Sequence, residues 1–177
     1  MDRDELARRI DETCRLTGEF LLRSGTVSNQ YFDKYRFEAD PELLAAVAGQ
    51  LRPLIPDGTE VLGGLEFGGV PVATALALTS GLPATFVRKE AKAYGTARLA
   101  EGADIDGRRV LVVEDIITTG GQVVQSTSDL RERGALVDTV LCVIDRSGGD
   151  HSVLAAAGVG IRSLFTSDDL DRARGPM

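Results

Sequence analysis

Hydrophobic positions recur along the chain in two rhythms. Between residues 4 and 16, Leu6, Ile10 and Leu16 stand at near-helical spacing among charges, which predicts an amphipathic first helix. The rhythm then shortens. Glu19-Phe20-Leu21-Leu22-Arg23 and Tyr31-Phe32-Asp33 flank a turn-rich stretch at 24–30 and read as two short strands joined by a polar loop. Asp40-Pro41 opens another helix, with proline at its first position and Leu43, Leu44, Val47 and Leu51 on one stripe.

From residue 61 the pattern becomes regular. Val61-Leu62-Gly63-Gly64 reads as a strand end, followed by a helix through Val72, Ala75, Leu76 and Leu78. Residues 83–87 and 110–113 read as two further strands, the latter leading into a helix over 121–133; residues 137–144 and 160–165 complete a set of five. Apolar strands without polar alternation, separated by helices, predict an α/β fold with a mostly parallel central sheet flanked by helices. Ligands of such sheets bind beyond the carboxyl ends of the strands. With no internal repeat or linker in the pattern, one domain over 1–177 is expected.

Composition narrows the classes. Acids outnumber bases, 27 to 20, for a net charge of −7, so a general nucleic-acid binder is not expected. No apolar run reaches the ~18 residues of a membrane span. The charged start Met1-Asp2-Arg3-Asp4-Glu5 leads into no apolar signal segment, and the cytoplasm is the expected compartment. Cys14 and Cys142 lie far apart without metal-ligand spacing and read as reduced structural thiols. His151, beside Gly148-Gly149-Asp150, reads as a loop or helix-start residue.

The densest chemistry lies in residues 110–122, VLVVEDIITTGGQ. Acids at the end of a buried strand are costly unless something uses them. Glu114 and Asp115 would emerge at the carboxyl edge of the sheet, where ribose hydroxyls could bond to them. After Ile116 and Ile117, the run Thr118, Thr119, Gly120, Gly121 and Gln122 supplies hydroxyls and open backbone N–H groups at a helix start, a geometry that holds phosphate. The whole string resembles the binding signature for phosphoribosyl pyrophosphate (PRPP) of the type I phosphoribosyltransferases. That resemblance implies their fold, with a small N-terminal hood over about residues 1–40 and an α/β core over about 41–170.

A second segment, FVRKEAKAYGTARLAEG at 86–102, gathers Arg88, Lys89, Lys92 and Arg98 in an otherwise acidic chain. Such cations could close over a pyrophosphate and exclude water. Arg88-Lys89-Glu90-Ala91-Lys92 with Tyr94-Gly95 resembles the catalytic loop of the orotate phosphoribosyltransferases, where it reaches across a homodimer interface. Tyr94 stands where that family often has histidine. The resemblance implies Lys92, Lys89 and Asp115 as catalytic residues, and Arg88, Lys89, Lys92 and Tyr94 as contacts to PRPP.

Further segments bear on the base. Arg23-Ser24-Gly25, with Tyr31 and Phe32 beyond, resembles the family's hood; Arg23 is implied at PRPP and the two aromatic rings at orotate. Gly63 through Pro71 resembles a loop that holds pyrophosphate by backbone groups, Phe67 and Gly68 included, although some members carry lysine at the position of Gly68. Arg146, after Asp145 at the end of the fourth strand, is implied at the orotate carboxylate together with Thr118; a planar guanidinium suits that group. Magnesium would arrive with PRPP, with no protein ligand set of its own. A phosphoribosyltransferase for a purine or uracil, or a non-enzymatic PRPP sensor, are the other readings.

Overall fold

A computed structural model describes residues 1–21, 25–89 and 99–174. The first helix, α1 (Arg3–Cys14), starts where the Asp2 side chain accepts the Glu5 N–H at 2.8 Å, and buries Leu6, Ala7, Ile10 and Cys14. It stops two residues short of the expected end. Arg15 turns extended, and Leu16 belongs to β1 (Arg15–Leu21), which pairs antiparallel with β2 (Val27–Phe32). Both strands begin four residues earlier than the sequence suggests, and the expected strand residues Leu22 and Arg23 lie outside the described residues. A five-residue helix, α2 (Tyr35–Ala39), follows, unpredicted. Asp40 then caps α3 (Pro41–Leu51) by accepting the N–H groups of Glu42 and Leu43. Such a cap contributes roughly 1 kcal/mol.

The larger sheet has six strands in the order β5-β4-β3-β6-β7-β8. They are β3 (Val61–Leu65), β4 (Ala84–Val87), β5 (Ala100–Gly102), β6 (Val110–Ile117), β7 (Thr139–Asp145) and β8 (Gly160–Thr166). All neighbours are parallel except β4 and the short edge strand β5. Between them run α4 (Glu66–Ser80), α5 (Gly121–Arg131) and α6 (Ser152–Ala156), and α7 (Ser167–Arg174) follows β8. The sheet is the mostly parallel one expected; β5, α6 and α7 are additions to the predicted set.

Alternate strand residues serve two cores, as a pleat dictates. Leu62, Leu111, Val113, Leu141 and Val143 face one side, against α1, α3, α4 and α7. Val61, Val110, Val112, Val140 and Cys142 face the other, against α5 and α6. Both thiols are free and buried; burial pushes Cys14 up to about 12 and Cys142 well above the usual thiol range. Among the described residues no helix is long and apolar enough to cross a membrane.

Chain order reverses between β3 and β6. From β3 the chain winds outward through α4 to β4, and from β6 it winds the other way to β7 and β8. The crevice at such a switch point is where open α/β sheets bind ligands.

Candidate active site

Two chain segments meet at this crevice. β6 runs four residues further than expected and carries Glu114 and Asp115 inside the strand, with Ile116 and Ile117 as its last residues. The acids are therefore strand residues, and the turn is confined to Thr118, Thr119 and Gly120. Glu114 is 8% exposed and Asp115 not at all. Thr118 and Thr119 face solvent, and Gly120, at φ 77°, starts α5 without a side-chain cap. The first helical bond runs from the Val124 N–H to the Gly120 carbonyl at 3.0 Å. Helix geometry leaves the amides of Gly121, Gln122 and Val123 without intrahelical acceptors, an anion-binding arrangement. The Gln122 side-chain amide donates within the helix, from Nε2 to the Ser126 hydroxyl.

The segment from Gly63 to Pro71 is not a loop. β3 runs to Leu65 and α4 begins at Glu66, so Phe67 and Gly68 lie in its first turn. Buried glycines bring the helix close against the sheet, and close packing rather than an open loop shapes this side of the crevice. Glu66 has φ 51°, the one non-glycine positive φ among the described residues. Strain of this kind costs on the order of 1–3 kcal/mol and collects at functional sites. Phe67 is 78% exposed, its ring edge-on to Tyr35 at 5.7 Å. A β-carbon on Gly68 would overlap the Asp115 carboxylate and lie 2.9 Å from Lys34 Nζ. Where some family members carry lysine, this chain has no room for a side chain: the Asp115 carboxylate fills the space, and the lysine of another segment lies beside it.

That lysine pairs with Asp115: Lys34 Nζ lies 2.6 Å from Oδ2. Burial works against the Asp115 carboxylate, but its neighbours Glu114, Glu38 and the paired Lys34 outweigh it and hold its carboxyl below the ordinary range. Burial, with the neighbouring Asp115 charge, pushes Glu114 well above that range and Glu38 up to about 9. Burial also opposes the Lys34 ammonium, yet the Asp115 partner raises it overall. The cluster thus favours charge on Asp115 and Lys34 and the proton on Glu38 and Glu114. The buried Glu38 Oε1 and Asp115 Oδ2 are left without a hydrogen-bond partner, Lys34 meeting Oδ2 as an ion pair only.

On the other flank, β2 delivers Phe32 to Arg146, whose guanidinium lies 5.7 Å from the ring centre. Tyr31, the next residue, points to the opposite face of the hairpin and stacks on Phe20 at 5.5 Å. Arg146 is exposed and forms no ion pair with Asp145, which instead accepts the Ser147 N–H and meets His151 Nε2 at 2.7 Å. The Arg146 N–H bonds the Ile117 carbonyl at 2.7 Å, tying the end of β7 to the end of the acid strand. Arg88 and Lys89 follow β4 and are exposed; the Arg88 N–H holds the Leu99 carbonyl at 2.9 Å. Arg23, Lys92 and Tyr94 lie outside the described residues.

The crevice thus joins Glu114, Asp115, the turn 118–120, the amino ends of α4 and α5, Phe32 and Arg146. Sequence reasoning missed Lys34 and Glu38. The signal was present in Tyr31-Phe32-Asp33-Lys34, a cation two residues after an aromatic pair, with Glu38 one helical turn beyond.

A doubly wound sheet with buried acids ahead of a threonine–glycine turn at its switch point defines the phosphoribosyltransferases, and the model of the phosphoribosyl transferase domain matches residues 36–156. The chain is 56% identical over 169 residues to an orotate phosphoribosyltransferase of Nocardioides sp., covering 96% of this chain and 94% of the relative. It is 42% identical over 167 residues to that of Methanocella arvoryzae, covering 94% and 95%. The solved orotate phosphoribosyltransferase of Mycobacterium tuberculosis in complex with PRPP superposes with a TM-score of 0.82 at 33% identity, covering 97% of this chain and 99% of that one. This chain belongs to the orotate phosphoribosyltransferase family and is an enzyme of that type.

Proposed function

We propose that the chain transfers the 5-phosphoribosyl group of PRPP to orotate, forming orotidine 5′-monophosphate and pyrophosphate. The observation that carries this reading is the meeting, at one switch point, of a buried acid pair, an uncapped helix start after a threonine–glycine turn, and an arginine stacked on an aromatic ring. In this reading the 5-phosphate sits on the amides after Thr118 and Thr119, and the ribose hydroxyls bond Glu114 and Asp115. Pyrophosphate lies toward the amino end of α4 and toward Arg88 and Lys89, with Lys92, Arg23 and Tyr94 completing the contacts. Arg146 grips the orotate carboxylate beside Phe32, with Thr118 at the rim, while Tyr31, on the far face of the hairpin, backs Phe20.

The step breaks the bond from the anomeric carbon to the pyrophosphate oxygen and forms one to the ring nitrogen of orotate, whose proton is released. Positive charge grows on the ribose ring as negative charge grows on the leaving group. Positioned cations and an ionised Asp115 stabilise both, and such electrostatic preorganisation is the larger part of catalysis of this kind. Among the described residues no cluster of three metal-ligating side chains stands ready. The Asp115 carboxylate, already spent on Lys34, fits a magnesium ion held mainly by PRPP oxygens and water. When bound, that ion neutralises part of the leaving group's charge.

We further propose a homodimer whose 90–98 segment, after the family resemblance, completes the partner's site. Exposed Phe67 and Leu78 on α4 and Phe86 on β4 supply apolar surface for a contact of this kind. A cytoplasmic setting, a single domain with its hood, and small molecules rather than nucleic acid as partners belong to the same reading.

Arg146→Ala tests the base assignment. The KM for orotate is expected to rise roughly ten- to a hundredfold, as for loss of a charged hydrogen-bonding partner, while the KM for PRPP stays within a few fold. Equal effects on both substrates would remove Arg146 from the orotate site.

A further inference from the structure

Lys34 takes no part in the reading above, yet it stands at the centre of the site. It stands two residues after β2 and reaches across the first turn of α4 to Asp115 Oδ2. The acid is enclosed, whereas 32% of the lysine side chain is exposed, so the ammonium covers the carboxylate from the solvent side. The Tyr35 ring lies 5.3 Å from Nζ, and the space above Gly68 is filled by the Asp115 carboxylate with the same ammonium beside it. The Ile116 N–H already occupies Asp115 Oδ1. A ribose hydroxyl can therefore reach Oδ2 only as Lys34 leaves it.

A half-buried ammonium stripped of its carboxylate is costly unless another anion takes it. The adjacent place for an anion is the amino end of α4, which has no side-chain cap and presents the positive end of the helix dipole. The Ile116 N–H at Oδ1 leaves that carboxylate a partner throughout the exchange. We propose that Lys34 is a further substrate-binding residue: it guards Asp115 in the empty site and passes to a pyrophosphate oxygen of PRPP when the ribose hydroxyls take its place. The proposal rests on the reading of this crevice as a PRPP site. No bond is made or broken; one ion pair replaces another.

Calorimetric titration of wild type, Lys34→Gln and Lys34→Arg with three probes separates the possibilities: PRPP with magnesium, pyrophosphate with magnesium, and ribose 5-phosphate. For Lys34→Gln, affinity for PRPP and for pyrophosphate is expected to fall roughly ten- to a hundredfold, the effect of losing one charge-assisted bond. Ribose 5-phosphate is expected to bind as well as before or better, because its competitor for Asp115 has gone. Lys34→Arg restores most of the loss. A lysine that merely plugs the acid gives the opposite result: Lys34→Gln binds PRPP as tightly as wild type or more so, and that overturns the proposal. Wild type that binds no PRPP overturns the functional reading and this proposal together, whereas tight wild-type binding matched by Lys34→Gln overturns this proposal alone. Thermal melting establishes that the variants fold; Lys34→Met, which keeps the apolar stem, takes the place of a glutamine variant that does not.

Discussion

Three carboxyls and one ammonium meet at the end of β6, and they do not ionise alike. The neighbours of Asp115, the paired Lys34 among them, hold its carboxyl below the ordinary range; burial and the Asp115 charge push Glu38 and Glu114 up. A carboxyl raised in the fold holds a proton that the unfolded chain releases, so its contribution to stability falls as pH rises from the unfolded value to the folded one. For Glu38 that window runs from the ordinary carboxylate range up to about 9. Glu38→Gln cannot ionise, and its stability relative to wild type is expected to improve through this window by at most about 1.4 kcal/mol per pH unit. Glu114 acts in the same direction, so the variant retains part of the slope. Urea unfolding at a series of pH values measures the difference; parallel pH dependences would mean that Glu38 is ionised in the fold. At this scale Glu114 and Asp115 were legible in the sequence, because acids ending an apolar strand need a use. Lys34 and Glu38 were not. Their partner lies about 80 residues away in sequence, and only the docking of the hairpin and α2 brings them to it.

Element identities followed from periodicity and their boundaries did not. Every predicted strand of the large sheet is present, since unbroken apolar runs need a sheet covered on both sides. The first helix was expected to reach Leu16 because a leucine continues an apolar stripe as well as it starts a strand. The three-residue β5 and the five-residue α2 and α6 are too short for a period to register. Residues 114–117 looked like loop because two acids interrupt the apolar run, yet hydrogen bonding to β7 carries the strand on to Ile117. The glycine after the turn has a stricter role than its sequence suggests. Gly120 holds φ 77°, and a β-carbon there would come within 2.9 Å of Leu154. Gly120→Ala is expected to cost about 1–2 kcal/mol for the left-handed backbone, plus the strain of moving Leu154. It should lower the urea midpoint and raise the KM for PRPP together; an unchanged midpoint would contradict the cap described here.

Across the whole molecule, chain reversal between β3 and β6 explains why one crevice collects residues from both halves of the sheet. β3 brings the tight start of α4, β6 the acids and the turn, β7 the arginine, and the small hairpin folds Phe32 and Lys34 over the opening. Family membership was readable from the 110–122 string and the 86–102 segment, whose residue types serve PRPP chemistry. The choice of base rests on fewer groups, Arg146 and Phe32 above all. The most direct test follows the ultraviolet absorbance of orotate after wild-type protein is mixed with orotate, PRPP and magnesium. Orotate absorbance is expected to fall in step with pyrophosphate release, and to hold steady when PRPP is omitted. Unchanged orotate, with turnover of uracil or hypoxanthine under the same conditions, would contradict the account.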